Sequence, residues 1–243
     1  MITVRRSQER GVANFGWLNS RHTFSFGSYY DPEYMGVSTL RVINDDIVDP
    51  GAGFATHGHR DMEIISLVLE GAIEHKDSEG NIQTLPAGEF QLMSAGSGIM
   101  HSEYNASQQD PLRFLQIWVL PNVKGQKPGY QQKDFGQQSG ITPIATPDGT
   151  DGTLHIKSDT RLSQLILEPG SEVDFNLDKG RNGYVHNVSS ELQVTTKGDL
   201  QSLSGGDGAT IEAKTNELAD KNTINFKNTG SEKVMALIFD LPA

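Results

Sequence analysis

Two short motifs place metal-binding side chains at a spacing that can bring them together. His57 and His59 occur in THGHRDME, and His101 and Glu103 occur in GIMHSEYN. The members of each pair are two residues apart, so on a β-strand they point to the same face of the sheet. If the two strands face each other, three imidazoles and one carboxylate converge on one point. This donor set suits a divalent first-row transition metal at bond lengths of roughly 2.0–2.2 Å.

Isolated histidines on strands usually have surface or structural roles, but three of the seven histidines fall within these two motifs. Glu63 is an alternative ligand, because His57-x-His59-x3-Glu63 also offers a set of three. It lies four residues beyond His59, where a strand has twisted away. We therefore favour Glu103 as the ligand, and we expect Glu63 behind the ligands or in a structural role. Surface or structural roles are also expected for the histidines at 22, 75, 155 and 186.

The composition fits a globular chain of one or two domains with a sizeable core. Hydrophobic residues make up 35% and charged residues 21% of the 243 residues, and the formal net charge is −11. This acidic balance argues against direct nucleic-acid binding, because phosphate contacts need a positive patch. The absence of cysteine excludes disulfides and thiolate chemistry, so nitrogen and oxygen atoms must bind any metal. With no signal-peptide pattern and no long apolar run, we expect a cytosolic protein with no membrane partner.

Short apolar runs bounded by glycine and proline turns occur along the whole chain. They are rich in β-branched and aromatic residues, as in TLRVIND, EIISLVLEG, FLQIWVLP and VMALIFDLP. Such runs are typical of strands, and long segments of helical periodicity are missing. The sequence therefore predicts an all-β protein built from two β-sandwich or jelly-roll barrels.

An internal repeat predicts that the two units arose by duplication. IVDPGAGFATHGH at 47–59 resembles ILEPGSEVDFNLD at 166–178, and QTLPAGEFQLM at 83–93 resembles QSLSGGDGATI at 201–211. The two alignments agree to within one residue in their offset, which makes chance a poor explanation. At this offset the second copy lacks the metal set, because the four ligand positions hold Asn176, Asp178, Ala219 and Lys221.

The longest motifs resemble the pirin family of the cupin superfamily. The resemblance is carried by HGHRDMEIISLVLEGAIEHKDSEGN, PAGEFQLMSAGSGIMHSEYN, RHTFSFGSYYDPEYMG and RVINDDIVDPGAGF. It covers residues 1–121 densely and the second half only as a degenerate cupin. It implies a bicupin with iron or a related metal at His57, His59, His101 and Glu103. It also implies two activities, since some bacterial members are quercetin 2,3-dioxygenases whereas a eukaryotic branch is tied to transcriptional co-regulation.

We predict an N-terminal metal-binding cupin domain at 1–125, a linker at 126–150 and a C-terminal degenerate cupin domain at 151–243. The linker is rich in proline, glycine and glutamine. The aromatic segment 14–36 is expected at the mouth of the first unit. The apolar lining of a substrate pocket, or equally the core of the unit, is expected from Phe90, Leu92, Leu115 and Ile117.

The expected function is a metal-dependent dioxygenase that opens the ring of a flavonol and releases carbon monoxide, with molecular oxygen as second substrate. Four protein ligands leave open coordination positions, as catalytic sites do. Three neutral imidazoles and one carboxylate leave a charge of about +1 on a divalent metal, which favours an anionic oxygen such as a flavonol 3-oxygen. Glu103 would act as ligand and as general base in turn. We expect one divalent transition metal per chain, Fe(II) in preference to Cu, Mn, Co, Ni or Zn.

The alternative is a non-enzymatic regulatory protein that senses a metal or its redox state. Its metal site would have the same residues, because the oxidation state of the metal would be the switch. The charge of −11 leaves little attraction for DNA, so this alternative requires a protein partner. A different metal-dependent oxygenase or isomerase on the same scaffold, and a small-molecule-binding barrel with an adventitious metal, are further interpretations.

Overall fold

The chain folds into two compact units in the computed structural model, which describes residues 1–212 and 221–243, with the backbone alone at Lys221. The N-terminal unit comprises 11–136 and 147–159, and the C-terminal unit comprises 1–10, 137–146 and 160–243. Both units consist of β-strands joined by turns, so the predicted all-β class is confirmed. Within the described residues, no helix is long and apolar enough to cross a membrane.

Over the described residues the chain forms 22 strands and two short 3-10 helices, Ser7–Glu9 and Thr150–Gly152. The strands are β1 (Ile2–Arg5), β2 (Gly11–Asn14), β3 (Leu18–His22), β4 (Leu40–Val48), β5 (Gly53–His59), β6 (Glu63–Glu70), β7 (Ala72–Asp77), β8 (Ile82–Pro86), β9 (Glu89–Ser94), β10 (Ile99–Asn105), β11 (Leu112–Val119), β12 (Gly129–Asp134), β13 (Gly140–Thr146), β14 (Leu154–His155), β15 (Arg161–Leu167), β16 (Glu172–Asp178), β17 (Arg181–Ser189), β18 (Leu192–Thr196), β19 (Asp199–Leu203), β20 (Gly208–Ile211), β21 (Lys221–Asn228) and β22 (Val234–Pro242).

The N-terminal unit is a sandwich of two antiparallel sheets. The larger sheet has the order β12-β9-β6-β11-β4-β3-β2, and the smaller one has the order β5-β10-β7-β8. Strands β6 and β11 lie at the centre of the larger sheet, and their apolar runs are buried along most of their length. Such continuous apolar runs are expected where a strand is covered on both faces.

The C-terminal unit repeats this arrangement. Its larger sheet contains β1-β20-β17-β22-β15-β13 in that order, and its smaller sheet is β16-β21-β18-β19. The order β20-β17-β22-β15 corresponds to β9-β6-β11-β4, and β16-β21-β18-β19 corresponds to β5-β10-β7-β8. Two successive stretches of the chain therefore build the same sandwich, as the internal repeat predicted.

The register of β21 differs from the one that the repeat predicted. Strand β16 carries Asn176 and Asp178 where β5 carries the first histidine pair, and Asn176 lies opposite Thr223, as His57 lies opposite His101. The Thr223 hydroxyl donates a hydrogen bond to Asn176 Oδ1 at 2.9 Å. The predicted counterpart, Ala219, lies outside the described residues. A constant sequence offset fails here because the connection that precedes β21 is longer than the one that precedes β10.

The domain boundaries predicted at 125 and 150 also need correction. Residues 1–10 belong to the C-terminal unit, because β1 pairs with β20 at the edge of its larger sheet. The predicted linker 126–150 contains β12, which extends the larger sheet of the N-terminal unit, and the whole of β13, which belongs to the C-terminal unit. Strand β12 reads GYQQKD, and a polar edge strand has no apolar alternation by which the sequence could reveal it.

Strand β1 provides a test of this corrected boundary. Ile2 is buried in the core of the C-terminal unit, whereas Thr3 on the same strand is exposed. Ile2→Ala should lower the free energy of unfolding by about 2–3 kcal/mol because it leaves a cavity in that core. Thr3→Ala is the matched control and should change it by less than about 0.5 kcal/mol. Chemical denaturation measures both, and equal effects of the two substitutions would contradict the pairing.

Candidate metal centre

Three histidines converge on two neighbouring strands of the smaller sheet. His57 on β5 lies opposite His101 on β10, and His59 follows His57 on the same face. The three ring centroids are 4.5–4.9 Å apart. One potential ligand atom from each side chain lies within 4.8 Å of the others. The spacing of the two motifs therefore produces the cluster of imidazoles that it predicted.

The geometry of His57 and His101 fits two neighbouring ligands of one ion. His57 Nδ1 lies 2.8 Å from the carbonyl oxygen of Ala55, so Nδ1 carries the proton and donates it. The lone pair is then on His57 Nε2, which lies 3.0 Å from Nε2 of His101. Two nitrogens bonded to one metal at about 2.1 Å, at a right angle, are also about 3.0 Å apart.

Burial keeps the imidazoles of His59 and His101 neutral. Burial, with a smaller contribution from the nearby His57, lowers the pKa of His59 to about 4. Burial likewise lowers the pKa of His101 to about 2, with added repulsion from His57 and His59. Neutral imidazole is the form that binds a metal, so no proton has to be removed from these two side chains at neutral pH.

Glu103 lies close to His101 and His75, with hydrogen bonds to one carboxyl oxygen and none to the other among the described residues. A β-bulge separates it from His101 in the pairing of β10 with β5. Its Oε1 accepts hydrogen bonds from Gln91 Nε2 at 3.2 Å and from the Ser66 hydroxyl at 3.5 Å. Its buried Oε2 has no hydrogen-bond partner among the described residues. Burial raises the pKa of Glu103 to about 7, and a cation near Oε2 would offset that cost.

The structure adds His75, for which a surface or structural role was predicted. His75 on β7 lies opposite Glu103 on β10, and its ring is 5.3 Å from that of His101. Potential ligand atoms of His75, His101 and Glu103 form a second group within 4.8 Å, so His101 belongs to both groups. His75 Nε2 lies 3.0 Å from Asp77 Oδ2, and its Nδ1 has no partner among the described residues. Ile73, His75 and Asp77 are the buried residues of β7 and alternate with exposed Glu74 and Lys76. The sequence signal for His75 was its place two residues after Ile73, on the same face of the strand.

Glu63 has partners away from the histidines. Its Oε2 accepts hydrogen bonds from the Ser94 hydroxyl at 2.8 Å and from the backbone N–H of Lys157 at 3.1 Å. It lies at the start of β6 in the larger sheet, whereas the histidines lie on β5 and β10 of the smaller one. These contacts give Glu63 a structural role. Burial raises the pKa of its carboxyl group.

A cavity of about 600 Å³ opens beside His57 and His59. This volume lies within the range of about 300–1,000 Å³ in which proteins bind small molecules. The aromatic wall includes Trp118, whose ring is 5.0 Å from that of His59 and 5.2 Å from that of Phe26. Its other aromatic side chains are Phe15, Trp17 and Phe54. The segment 14–36 therefore supplies part of the cavity wall, through Phe15, Trp17 and Phe26.

The apolar residues predicted to line a pocket lie elsewhere. Among the described residues, the cavity lining includes Gln116 and Trp118 of β11 but neither Leu115 nor Ile117. Successive residues of a strand point to opposite faces, so the latter two face the other side of the sheet. Phe90 and Leu92 on β9 are also fully buried and away from the cavity. Of the two alternatives predicted for these four residues, the core role is confirmed and the pocket role is not. The apolar pattern of a fully buried strand does not show which of its faces meets a cavity.

A polar strip runs along the larger sheet at the cavity wall. Ser20 and His22 on β3 lie opposite Asp46 and Asn44 on β4, and Gln116 on β11 follows on the other side of Asn44. Asp46 is 2% exposed, and its Oδ1 has no hydrogen-bond partner among the described residues. Burial raises the pKa of Asp46 to about 7, against a smaller lowering by the Ser20 hydroxyl.

Comparison with known families assigns both halves of the chain. Residues 3–119 match the family described as Pirin, and residues 143–241 match the family described as Quercetinase C-terminal cupin domain. These two matches correspond to the two sandwiches, so the predicted bicupin architecture is confirmed.

Similar proteins match over the full length of the chain. A quercetin 2,3-dioxygenase of Escherichia coli O157:H7 is 44% identical over 242 residues, covering 100% of this chain and 99% of the relative. The pirin-like protein YhaK of Escherichia coli K12 is 33% identical over 245 residues, and the alignment covers 100% of this chain and 100% of YhaK. The solved structure of the bacterial pirin YhhW from Escherichia coli in complex with nickel(II) has a TM-score of 0.90 and 41% identity, covering 100% of this chain and 99% of that chain.

Asp46 leads to a prediction about stability and pH. The pKa of its carboxyl is raised from 3.8 to about 7 by folding, so its contribution is most favourable below pH 4 and is lost as the pH rises towards 7. Asp46→Asn removes this titration. The loss of unfolding free energy between pH 5 and pH 8 should therefore be roughly 2–3 kcal/mol smaller in the variant than in the wild type. Denaturant unfolding of metal-free protein at both pH values measures this difference, and parallel pH profiles would contradict it.

Proposed function

The chain belongs to the pirin family of cupin proteins, and we propose that its N-terminal unit is a metal-dependent dioxygenase that opens the ring of a flavonol and releases carbon monoxide. The observation that carries this proposal is an imidazole cluster of which two members, His57 and His59, lie at the wall of an aromatic cavity of about 600 Å³. Full-length relatives that are 44% and 42% identical are named quercetin 2,3-dioxygenase, which supports the same reaction here.

We propose His57, His59, His101 and Glu103 as the residues that hold one divalent transition metal. The spacing of the imidazole nitrogens supports this ligand set, as does Oε2 of Glu103, which has no hydrogen-bond partner within the described ranges. When bound, the metal supplies Lewis-acid and redox chemistry for the reaction of the substrate with molecular oxygen. We propose Fe(II) as the native metal and nickel as the first alternative to test, since the solved relative is a nickel(II) complex.

The protein itself contributes binding, orientation and proton transfer. The aromatic walls favour a flat polycyclic substrate, because offset and edge-to-face ring contacts bind and orient such rings. Enclosure between the two sheets reduces contact with water, which strengthens electrostatic interactions at the site. Glu103 would act as ligand and general base in turn: Oε2, once released from the metal, takes the proton of the substrate hydroxyl, while Gln91 and Ser66 hold Oε1 in place.

The non-enzymatic regulatory alternative is less favoured. A regulator that acts through a protein partner needs a docking surface, whereas His57 and His59 lie at the wall of a concave cavity of small-molecule size. The full-length relatives at 42–44% identity are also named as enzymes. The cytosolic location and the absence of direct nucleic-acid binding stay predictions from the sequence.

Turnover by a histidine variant tests the proposal. Protein loaded anaerobically with Fe(II) or Ni(II), then mixed with quercetin and air, should bleach the flavonol absorbance and release carbon monoxide. His101→Ala should lower kcat at least about 100-fold, because it removes an imidazole shared by both possible ligand groups. His155→Ala is the matched control, since His155 is exposed and lies outside the cavity lining.

Circular dichroism and metal analysis make the result specific. Both variants should keep the wild-type spectrum, and His101→Ala alone should lose metal. Folded wild-type protein that holds metal but consumes no flavonol with Fe, Cu, Mn, Co or Ni would contradict the enzymatic proposal and favour the regulatory one.

Gln91 offers a second test, of the hydrogen bond that orients Glu103. Gln91 is fully buried, and its Oε1 accepts a hydrogen bond from the Tyr130 hydroxyl at 3.1 Å. Gln91→Leu removes the donor to Glu103 and should weaken metal binding roughly 10- to 100-fold, as loss of a ligand's supporting contact does. Tyr130→Phe leaves the contact between Gln91 and Glu103 intact and should have a smaller effect. Chelator competition measures both affinities, and equal losses would show that Gln91 does not act through Glu103.

A further inference from the structure

We propose that Asp46 is a specificity-determining residue that binds a hydroxyl group on an aromatic ring of the substrate, an inference that rests on the function proposed above. Asp46 lies on β4 of the larger sheet, across the sandwich from the strands that carry the histidines. It lines the same cavity as His57 and His59. A substrate in this cavity can therefore contact both the metal centre and this carboxyl group.

The inner face of a sandwich sheet is normally apolar, and the polar strip departs from this pattern. A carboxyl group that is 98% removed from solvent and leaves one oxygen without a partner costs stability. A buried oxygen without a hydrogen bond calls for an explanation. A ligand that donates a hydrogen bond to Asp46 Oδ1 would explain it.

The neighbouring polar atoms on this strip already have partners. Asn44 Oδ1 lies 2.8 Å from His22 Nδ1 in a side-chain hydrogen bond. Gln116 Oε1 accepts a hydrogen bond from the indole N–H of Trp118 at 3.0 Å. Oδ1 of Asp46 is thus the acceptor on this wall that remains for a ligand, within the part of the chain that the structure describes.

The chemistry of the wall selects a class of ligand. Rings of Trp17, Phe54 and Trp118 favour a flat aromatic molecule, and a carboxyl oxygen accepts a hydrogen bond from a phenolic O–H in either protonation state. A methoxy group has no proton to donate, so it cannot supply the hydrogen bond that Oδ1 accepts. A site built to bind a hydroxyl rejects the analogue that lacks it more strongly than an apolar pocket rejects a change of size. The expected ligand is a flavonol with a free hydroxyl on a ring other than the one that carries the reacting hydroxyl.

Intrinsic fluorescence can measure binding directly, without turnover. The chain has two tryptophans, and both Trp17 and Trp118 line the cavity. Metal-loaded protein under anaerobic conditions is titrated with quercetin and with a derivative whose other ring hydroxyls are all methylated while the 3-hydroxyl is free. The wild type should bind quercetin roughly 10- to 100-fold more tightly, the range expected for a hydrogen bond to a buried carboxyl. A flavonol that carries the 3-hydroxyl alone serves as the reference ligand.

Asp46→Leu should bring the ratio of the two affinities close to one, while affinity for the reference ligand changes less than about threefold. Asp45→Asn is the matched control. Asp45 is the adjacent residue of β4, lies outside the cavity lining and is bound by both Nε and Nη2 of Arg113 at 3.0 Å. This control should keep the wild-type ratio, because successive residues of a strand face opposite sides.

The outcomes separate this inference from the proposed function. A wild-type ratio retained by folded Asp46→Leu, or equal affinities of the wild type for both compounds, overturns the role of Asp46 and leaves the dioxygenase proposal standing. If the wild type binds none of the three flavonols, the proposed function fails and the inference fails with it. Should Asp46→Leu not fold, Asp46→Ala replaces it, since it removes the carboxyl without adding bulk, and an unchanged ratio in that variant counts against the proposal.

Discussion

The antiparallel pairing of β5 with β10 is the constraint on which the rest of the site depends. It places His57 opposite His101 and brings their Nε2 atoms to 3.0 Å from each other. A slip of one residue in this register would turn every side chain of one strand to the opposite face and separate the imidazoles. The bulge after His101 interrupts the register at the point where the strand presents Glu103 next to His75 of β7. Backbone hydrogen bonds thus determine which side chains can share an ion.

Burial then determines the chemical state of these side chains. The same desolvation lowers the pKa values of His59 and His101 and raises those of Glu103 and Asp46. Neutral imidazoles are ready to bind a metal, whereas each of the two buried carboxyl groups has one oxygen without a hydrogen-bond partner in the described part of the chain. These groups cost stability in the absence of a ligand. The apolar strands β6 and β11 of the same unit provide the core that offsets this cost.

The two sandwiches show that the fold alone does not decide the chemistry. Their sheets have the same strand order, yet the strands that correspond to β5 and β10 carry Asn176 and Thr223, which hydrogen-bond to each other at 2.9 Å. Strand pairing uses backbone atoms, so side chains on the inner face can change while the sandwich persists. One copy of the duplication has imidazoles that can converge on a metal, and the other has an amide and a hydroxyl that satisfy one another.

The sequence by itself determined the all-β class, the duplication and the imidazole cluster, because the two-residue period of a strand and the repeat are local patterns. Only the tertiary structure decided that β1 and β12 complete the edges of the two larger sheets, because polar or terminal edge strands carry no alternation of their own. It also decided that His75 lies beside Glu103, that Gln116 rather than Leu115 meets the cavity, and that Asp46 Oδ1 has no hydrogen-bond partner among the described residues. Each of these depends on which residues of distant strands lie opposite one another. That register is set by packing between strands far apart in the chain, which a single sequence does not encode locally.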